Sequence, residues 1–211
     1  MKSKVLRVSV VTKLARLFLA IGVLLSSAVA FGGDTGDKEE SRFGWDLVNY
    51  DASTNTLVPG GVNSSKASDG SMITLKGSGT FVVPKNGKPS SDKPSSDVSG
   101  GGTWTITDPS GTQTGSGNYR VEQLVRFDER PFALLTGVNV FFGDVRDARG
   151  GLVFLTVAFD DGTHGVLVVS CNLAGQAIDF EGITASKGPV YYWNQQRPPV
   201  GNILHVIKGE D

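Results

Sequence analysis

Short runs of alternating apolar and polar residues, rather than helical periodicity, dominate the chain after its first thirty residues. In the run MITLKGSGTFVV (72–83), Ile73 and Leu75 fall on one face of an extended strand. Gly77 and Gly79, inside the same run, indicate a bulge or a sharp bend. Because no long stretch has a 3.6-residue period, the pattern predicts an all-β fold.

The strongest hairpin signal joins residues 152–159 to residues 164–173. Both runs are almost continuously apolar, and the Asp161-Gly162 pair between them suits a tight turn. We therefore predict that these two arms are central strands.

A second hairpin is predicted around the sequence DPSG (108–111), in which Pro fixes its own φ and Gly accepts a positive φ. The incoming strand is TWTIT (103–107). The outgoing strand is predicted to place Tyr119, Val121 and Gln123 on one face.

Two segments have the composition of loops. Residues 51–71 are rich in Ser, Asn, Gly and Asp and are predicted to form a long loop. Residues 84–102 contain an imperfect KPSSD repeat and are predicted to be a low-complexity surface loop. The remaining short strands are predicted at 43–51, 137–145, 178–184, 190–194 and 203–207.

Many short strands at about ten-residue spacing are typical of a barrel or a sandwich. With 28 glycines available for bends, the sequence favours an antiparallel β-barrel of about eight strands, with a β-sandwich as the alternative. We predict one such domain over 43–211.

The first thirty residues have the pattern of a secretory signal peptide. An apolar run over 17–30 follows a basic segment and ends in Ala28-Val29-Ala30, the small-x-small pattern that precedes cleavage. We predict cleavage after Ala30, a flexible acidic leader over 31–42, no stable membrane anchor after cleavage, and a secreted or periplasmic location. The basic residues of this segment are Lys2, Lys4, Arg7, Lys13 and Arg16.

Five of the 20 basic residues and none of the 21 acidic residues lie in this segment, so its removal leaves a net charge of 15 − 21 = −6. An acidic chain lacks the basic face that nucleic-acid binding needs, so no nucleic-acid partner is predicted. The sequence indicates no cofactor and leaves the oligomeric state open.

Nucleophilic and metal chemistry have little support. Cys171 is the only cysteine and lies in an apolar run, which is typical of a buried side chain without a disulfide. His164 follows Asp160 and Asp161 at a predicted hairpin tip, and His205 could approach from another strand. Two histidines without paired spacing do not make a zinc site, so no metal is predicted.

Glu181 is the main candidate for acid–base work. It follows Asp179 by two residues, so both carboxylates fall on one face of a strand. If that face is inside a barrel, the pair could share a proton. The favoured interpretation is that the carboxylates are solvated or paired with Lys187.

Arg120 and Tyr192 complete the catalytic candidates. Arg120 shares a strand face with Glu122 and Arg126, and an inward-facing pair could orient an anionic ligand. An outward-facing ladder of charges is the favoured alternative for these residues.

Consecutive aromatic residues are the main candidates for ligand binding. Because Tyr191, Tyr192 and Trp193 follow each other in a predicted strand, they cannot all face the core, and at least one ring is predicted to be exposed or to line the mouth of the barrel. Exposed aromatic rings bind apolar or sugar ligands well. The favoured alternative for these three rings is core packing plus one edge residue. Trp104 is the fourth candidate ligand-binding residue.

Two stretches carry a resemblance to known proteins. GTWTITDPSGTQTGSGNYRV (102–121) and FEGITASKGPVYYWN (180–194) resemble segments of an uncharacterised family of secreted bacterial β-domain proteins. The segment FEGITASKG is also similar to a strand segment of allene oxide cyclases, which share an eight-stranded antiparallel barrel with plant dirigent proteins. This resemblance implies such a barrel and assigns no catalytic residue here.

The sequence therefore favours an exported, non-catalytic binder of a small apolar ligand or a partner. One alternative is an enzyme of the cyclase or isomerase kind that uses the barrel cavity, with Glu181, Arg120 and Tyr192 as its working groups. Another is a structural protein of the cell surface, with the KPSSD segment as a spacer.

Overall fold

In the computed structural model, the chain forms extended strands along which buried and exposed side chains alternate. The structure describes residues 41–83, 97–174, 176 and 180–209. These residues belong to one compact unit. They contain no α-helix and a single 3-10 turn, at Val145–Asp147. The strands are β1 (Ser41–Asp51), β2 (Thr56–Pro59), β3 (Asn63–Ala67), β4 (Met72–Val83), β5 (Val98–Thr107), β6 (Gln113–Glu129), β7 (Asn139–Val140), β8 (Ala148–Arg149), β9 (Gly151–Phe159), β10 (His164–Cys171), β11 (Gly182–Lys187), β12 (Val190–Gln195) and β13 (Gly201–Ile207).

Several predictions fall on parts of the chain outside this description. The predicted signal peptide at 1–30 lies wholly outside it, as does the predicted acidic leader up to residue 40. Strand β1 begins at Ser41, so the last two residues of the predicted leader are part of the sheet. Among the described residues, no helix has the length and apolarity needed to cross a membrane.

Eight strands close on themselves in a ring. Their order is β3-β12-β11-β10-β9-β6-β5-β4, and β4 pairs with β3 to complete the circuit. Every pairing in the ring is antiparallel, including the closing one, in which Asn63 faces Leu75 and Lys66 faces Met72. The predicted all-β fold, with about eight antiparallel strands that close on themselves, is confirmed.

The remaining strands extend from β4. The first part of β4 pairs with β3, and its second part pairs with β1, where Trp45 faces Gly79. Strand β13 adds to the other edge of β1, and β8 pairs with two residues of β13. Strand β2 pairs with the end of β1. It also pairs with β7, and this is the one parallel pairing among the described strands.

The central hairpin is as the sequence predicts. Strands β9 and β10 pair from His164–Ala158 to Cys171–Gly151, and each has a further partner on its other edge. The inward side chains of this hairpin, such as Leu155 and Leu167, are fully buried. They belong to one apolar cluster that fills the interior of the sheet.

The glycines of β4 make room for large rings instead of forming a bulge. The register between β4 and β5 runs without interruption from Met72 to Phe81, so the predicted bulge is absent. A Cβ atom on Gly77 would meet the hydroxyl group of Tyr119, and one on Gly79 would meet the indole nitrogen of Trp45. Both rings are buried, and neither polar atom has a hydrogen-bond partner among the described residues.

Two predicted loops contain strands. Residues 51–71 hold β2 and β3, and the five residues 98–102 at the end of the predicted low-complexity loop begin β5. Residues 84–96 of that loop lie outside the described part of the chain. The strand predicted at 137–145 is reduced to the two residues of β7.

Strand β6 changes face along its length. The register shifts between Val121 and Gln123 and again between Leu124 and Arg126. Each bulge moves the following side chains to the other face. Gln123 is therefore exposed while Leu124 is buried, and the prediction that Gln123 shares a face with Tyr119 and Val121 is wrong.

Candidate functional site

Three neighbouring strands, β10, β11 and β12, present an outer face that carries no charged side chain among the described residues around its centre. Ala185 faces both Leu167 on β10 and Tyr192 on β12, and these three side chains point into the core. Side chains one position along each strand point outward. The outward row therefore contains Ser186 of β11 and Tyr191 of β12, which also face each other.

The predicted exposure of an aromatic ring is confirmed at two positions. Tyr191 is 68% exposed and Trp193 is 65% exposed, whereas Tyr192 between them is 2% exposed. Together with four neighbours on β10 and β11, the two exposed rings form a surface that we call the aromatic patch. The patch consists of Val166, Val168, Thr184, Ser186, Tyr191 and Trp193.

The patch is a shallow pocket of about 210 Å³. The backbone N–H of Val166 donates to the Ser186 hydroxyl oxygen at 3.0 Å, which fixes that side chain. Neither the Thr184 nor the Ser186 hydroxyl proton is donated to another described residue. None of the described residues that line the pocket carries a charge, so the patch combines flat apolar rings with available hydroxyl donors.

The sequence identified only the aromatic half of this surface. Thr184, Ser186 and the two valines were missed because they lie on other strands, and the register that brings them together is set by pairing between distant residues. The available signal was the alternation within 183–187, where Ile183 and Ala185 are buried and Thr184 and Ser186 point outward.

The other two predicted ligand-binding residues lie in the core. Tyr192 is buried, and burial raises the pKa of its hydroxyl group, which also bonds to Ser71. Trp104 is 5% exposed and donates its indole N–H to Asp160 at 3.2 Å. Neither ring is available to an external ligand in this arrangement.

Trp104 takes part in a cation–π cluster instead. The Lys187 ammonium lies 4.4 Å from the Trp104 ring centre and 5.0 Å from that of Phe159. It donates hydrogen bonds to Asp161 and, at 2.8 Å, to Thr163. The favoured pairing of Lys187 with Glu181 is therefore wrong, because the lysine ammonium bonds to Asp161 and Thr163 in the β9–β10 turn.

Substitution Lys187→Met is expected to lower the free energy of unfolding by about 2 kcal/mol, since it keeps the volume but removes a desolvated cation–π contact. Urea denaturation measures the loss. Thr163→Val is the matched control, because it removes the two hydrogen bonds of the Thr163 hydroxyl group, to Asp161 and from Lys187, and leaves the cation over both rings. If the two variants lost the same stability, the cation–π contacts would not be the main contribution of Lys187.

Glu181 is half-buried, and its carboxylate binds backbone N–H groups. Its two carboxylate oxygens accept the backbone N–H groups of Asn172, at 2.5 Å, and of Asn202, at 2.7 Å. Burial raises the pKa of Glu181 to about 7, against the opposing effect of these two hydrogen bonds. The favoured solvated interpretation is therefore wrong for this carboxylate, and its predicted neighbour Asp179 lies outside the described residues.

The cluster around Glu181 joins four strands. The Asn202 side chain donates to the carbonyl oxygens of Ser170, at 2.9 Å, and Gly182, at 2.7 Å, and accepts a hydrogen bond from Asn63. These bonds attach the start of β13 to β10, β11 and β3. The cluster thus satisfies buried backbone groups.

Arg120 lies on the outer surface. Its guanidinium is 2.8 Å from Glu122, which also contacts His164 at 3.0 Å. The favoured outward ladder is confirmed for this pair, since the Arg120 side chain is 69% exposed. Among the described residues, no hydrogen-bond or ion-pair partner is shared by Arg120, Glu181 and Tyr192, so these bonds do not bring the three catalytic candidates together.

A buried acid–histidine pair was missed by sequence reasoning. Asp46 and His205 lie on neighbouring strands β1 and β13, with 3.8 Å between Oδ2 and Nδ1. Burial raises the pKa of Asp46 to about 7 and lowers that of His205 to about 4. The His205 ring stacks on Phe142 at 4.3 Å, so His205 does not approach His164 at the hairpin tip.

The remaining reactive groups have structural positions. Cys171 is 1% exposed and forms no disulfide, as predicted, and burial raises the pKa of its thiol. Within the described ranges, no group of three His, Cys, Asp or Glu side chains is placed to hold a metal ion.

Comparison with protein-family models, with curated proteins and with solved structures finds no match for this chain. The resemblance to secreted bacterial β-domain proteins and to the allene oxide cyclase and dirigent barrels therefore stays a prediction from the sequence. The function has to be argued from the site itself.

Proposed function

We propose that this protein is an exported, non-catalytic binding protein that holds its ligand on the aromatic patch. The observation that carries the proposal is the outward exposure of Tyr191 and Trp193 around the buried Tyr192. Exposed aromatic side chains lose solvent-accessible apolar area only when something covers them, and each can bury 150–250 Å². A protein gains no folding stability from leaving two such rings in water.

The enzymatic alternative has weaker support. An acid or base needs a reacting group within hydrogen-bond distance, and the two oxygens of Glu181 are occupied by backbone N–H groups. The cell-surface structural alternative rests on the KPSSD segment, most of which the structure does not describe. Binding on the patch is therefore the function that the described geometry supports best.

Trp193 offers a direct measurement of ligand binding. Of the three tryptophans in the chain, Trp45 and Trp104 are buried and Trp193 is exposed. We expect acrylamide to quench mainly Trp193, and a bound ligand to protect it and shift its emission to shorter wavelength. The matched control is Trp193→Phe, which should abolish the quenchable fraction while the fold is retained.

Ligand-detected NMR with a library of uncharged aliphatic alcohols, aromatic compounds and oligosaccharides tests the proposal itself. We expect at least one class to bind the full chain and to lose binding in the double variant Tyr191→Ala, Trp193→Ala. Both side chains are exposed, so this variant should fold normally, as circular dichroism would check. Equal signals from the two proteins for every compound would contradict the proposed function.

A further inference from the structure

The aromatic patch contains features that distinguish between classes of ligand. Tyr191 and Trp193 are two residues apart on β12, both are exposed, and both line the same shallow pocket, with a register shift against β3 between Tyr192 and Asn194. The two rings therefore lie on an open surface rather than in a closed pocket. An open surface with aromatic rings matches ligands that are themselves flat-faced and extended.

The hydroxyl groups beside the rings favour a polar ligand. Ser186 faces Tyr191 across the strand pair, and its oxygen is held by the Val166 backbone N–H, so its proton remains available to a ligand. Thr184 lies two residues before it on the same outer face. A purely apolar ligand would cover both hydroxyl groups and leave them unpaired, which weakens binding.

The absence of charged side chains among the described residues of the pocket narrows the class of ligand further. The described residues around the pocket are Val, Thr, Ala, Ser, Tyr and Trp, without an acidic or basic side chain. Recognition of a carboxylate, sulfate or phosphate group draws on Arg, Lys or converging backbone N–H groups. The patch provides no such cation among these residues, and the ligand it fits is uncharged.

The size of the patch argues against a protein partner. With about two thirds of each ring exposed, Tyr191 and Trp193 offer roughly 300 Å² together. A stable protein interface buries about 800 Å² on each partner. An area of roughly 300 Å² is in the range of the largest, often functional, patches on monomeric proteins.

We propose that the ligand of the aromatic patch is an uncharged oligosaccharide, with sugar rings stacked on Tyr191 and Trp193 and sugar hydroxyl groups bonded to Thr184 and Ser186. A sugar ring has an apolar face of C–H groups and an edge of hydroxyl groups. It therefore matches both halves of the patch at once. This inference rests on the proposed function and specifies its ligand class.

The test is calorimetric titration of the full chain with four kinds of probe. Uncharged hexasaccharides of glucose, xylose and N-acetylglucosamine are compared with anionic oligogalacturonate, 1-decanol and naphthalene. We expect at least one uncharged hexasaccharide to bind, with affinity reduced at least about tenfold in Trp193→Ala and in Tyr191→Ala. Ser186→Ala should reduce affinity several-fold, because it removes one donor and leaves both rings.

Phe132→Ala is the matched control, because Phe132 is an aromatic residue that is 61% exposed and lies outside the patch. The saccharide affinity of the Phe132→Ala variant should equal that of the unmodified protein. Binding of 1-decanol or naphthalene that depends on Trp193, without saccharide binding, would overturn the saccharide assignment and leave the proposed function standing. Equal or tighter binding of oligogalacturonate would also overturn it, and no Trp193-dependent binding of any probe would contradict both proposals.

Discussion

Replacing Gly102 with Ala is expected to destabilise the protein by about 4 kcal/mol or more, a loss that approaches the whole stability of many domains. Gly102 of β5 faces Gly77 of β4. A Cβ atom on Gly102 would lie 1.8 Å from the carbonyl oxygen of Lys76 and 2.7 Å from the Cα of Gly77. Backbone atoms of a paired strand cannot move aside as a flexible side chain can, so the two strands would have to separate.

The matched control is Gly111→Ala. Gly111 lies in the DPSG turn, where its N–H bonds to the Asp108 carbonyl, and it has a φ of +87° with no atom within 4 Å of an added Cβ. Its substitution should cost only about 1–2 kcal/mol, from backbone strain alone. Urea denaturation monitored by circular dichroism compares the two variants. A Gly102→Ala protein as stable as Gly111→Ala would mean that β4 and β5 are farther apart at this point than the structure shows.

Replacing Asp46 with Asn is expected to remove one contribution to the pH dependence of the free energy of unfolding. The pKa of Asp46 is about 7 in the folded chain against 3.8 ordinarily. Between these two pH values, the folded state holds a proton that the unfolded state has lost. The unmodified protein therefore loses stability as the pH rises through this window, by up to about 1.4 kcal/mol per pH unit.

The amide side chain introduced by Asp46→Asn cannot ionise, so the variant lacks this loss. Its free energy of unfolding, relative to that of the unmodified protein, should rise by roughly 2–3 kcal/mol between pH 5 and pH 8. The lowered pKa of His205 has the opposite sign, with stability gained as the pH rises from about 4 to 6.5. Since His205 is present in both proteins, its contribution largely cancels in the difference.

Asp144→Asn is the control for this experiment. Asp144 is exposed, and its hydrogen bonds to Arg146 lower its pKa to about 2. It is ionised in both the folded and the unfolded state from pH 5 to pH 8, so its difference from the unmodified protein should not change with pH. A similarly flat result for Asp46→Asn would show that Asp46 is ionised, or solvated, throughout this range.

The local parts of the fold could be predicted from the sequence. The β9–β10 hairpin follows from two apolar arms around Asp161-Gly162. The turn at 108–111 follows from its DPSG sequence. Strands β12 and β13 also lie where the pattern predicts them. These elements depend on neighbours in the sequence, and their signals are complete within about twenty residues.

Strand β3, which closes the ring, could not be predicted. Its inward side chains include Asn63 and Ser65, and a strand with polar residues on its inner face has the composition of a loop. Both are buried and donate to distant groups, Asn63 to the Asn202 side chain and Ser65 to the Tyr192 carbonyl oxygen, while the Asn63 side-chain oxygen has no partner among the described residues. Such partners are known only once the fold is known.

The candidate site was predictable to a similar extent. Alternation along β12 indicates that Tyr191 and Trp193 share a face, but it does not say which face is inward. The sequence predicts a ligand-binding role for Trp104, although the ring is buried, because aromatic character alone does not distinguish a core ring from a surface ring. Asp46 and His205 were missed because the β1–β13 pairing that joins them spans almost the whole described chain.

The closing of the ring also sets the order of events during folding. Ser65 bonds to the carbonyl oxygen of Tyr192, a residue 127 positions later in the chain. Contacts this far apart form slowly, because the chain between them must first be ordered. Until the last strands have been synthesised, β3 and its neighbours expose unpaired backbone edges that can pair with another copy of the chain. The junction between β3 and β12 is therefore where crowding and slow synthesis would promote misassembly.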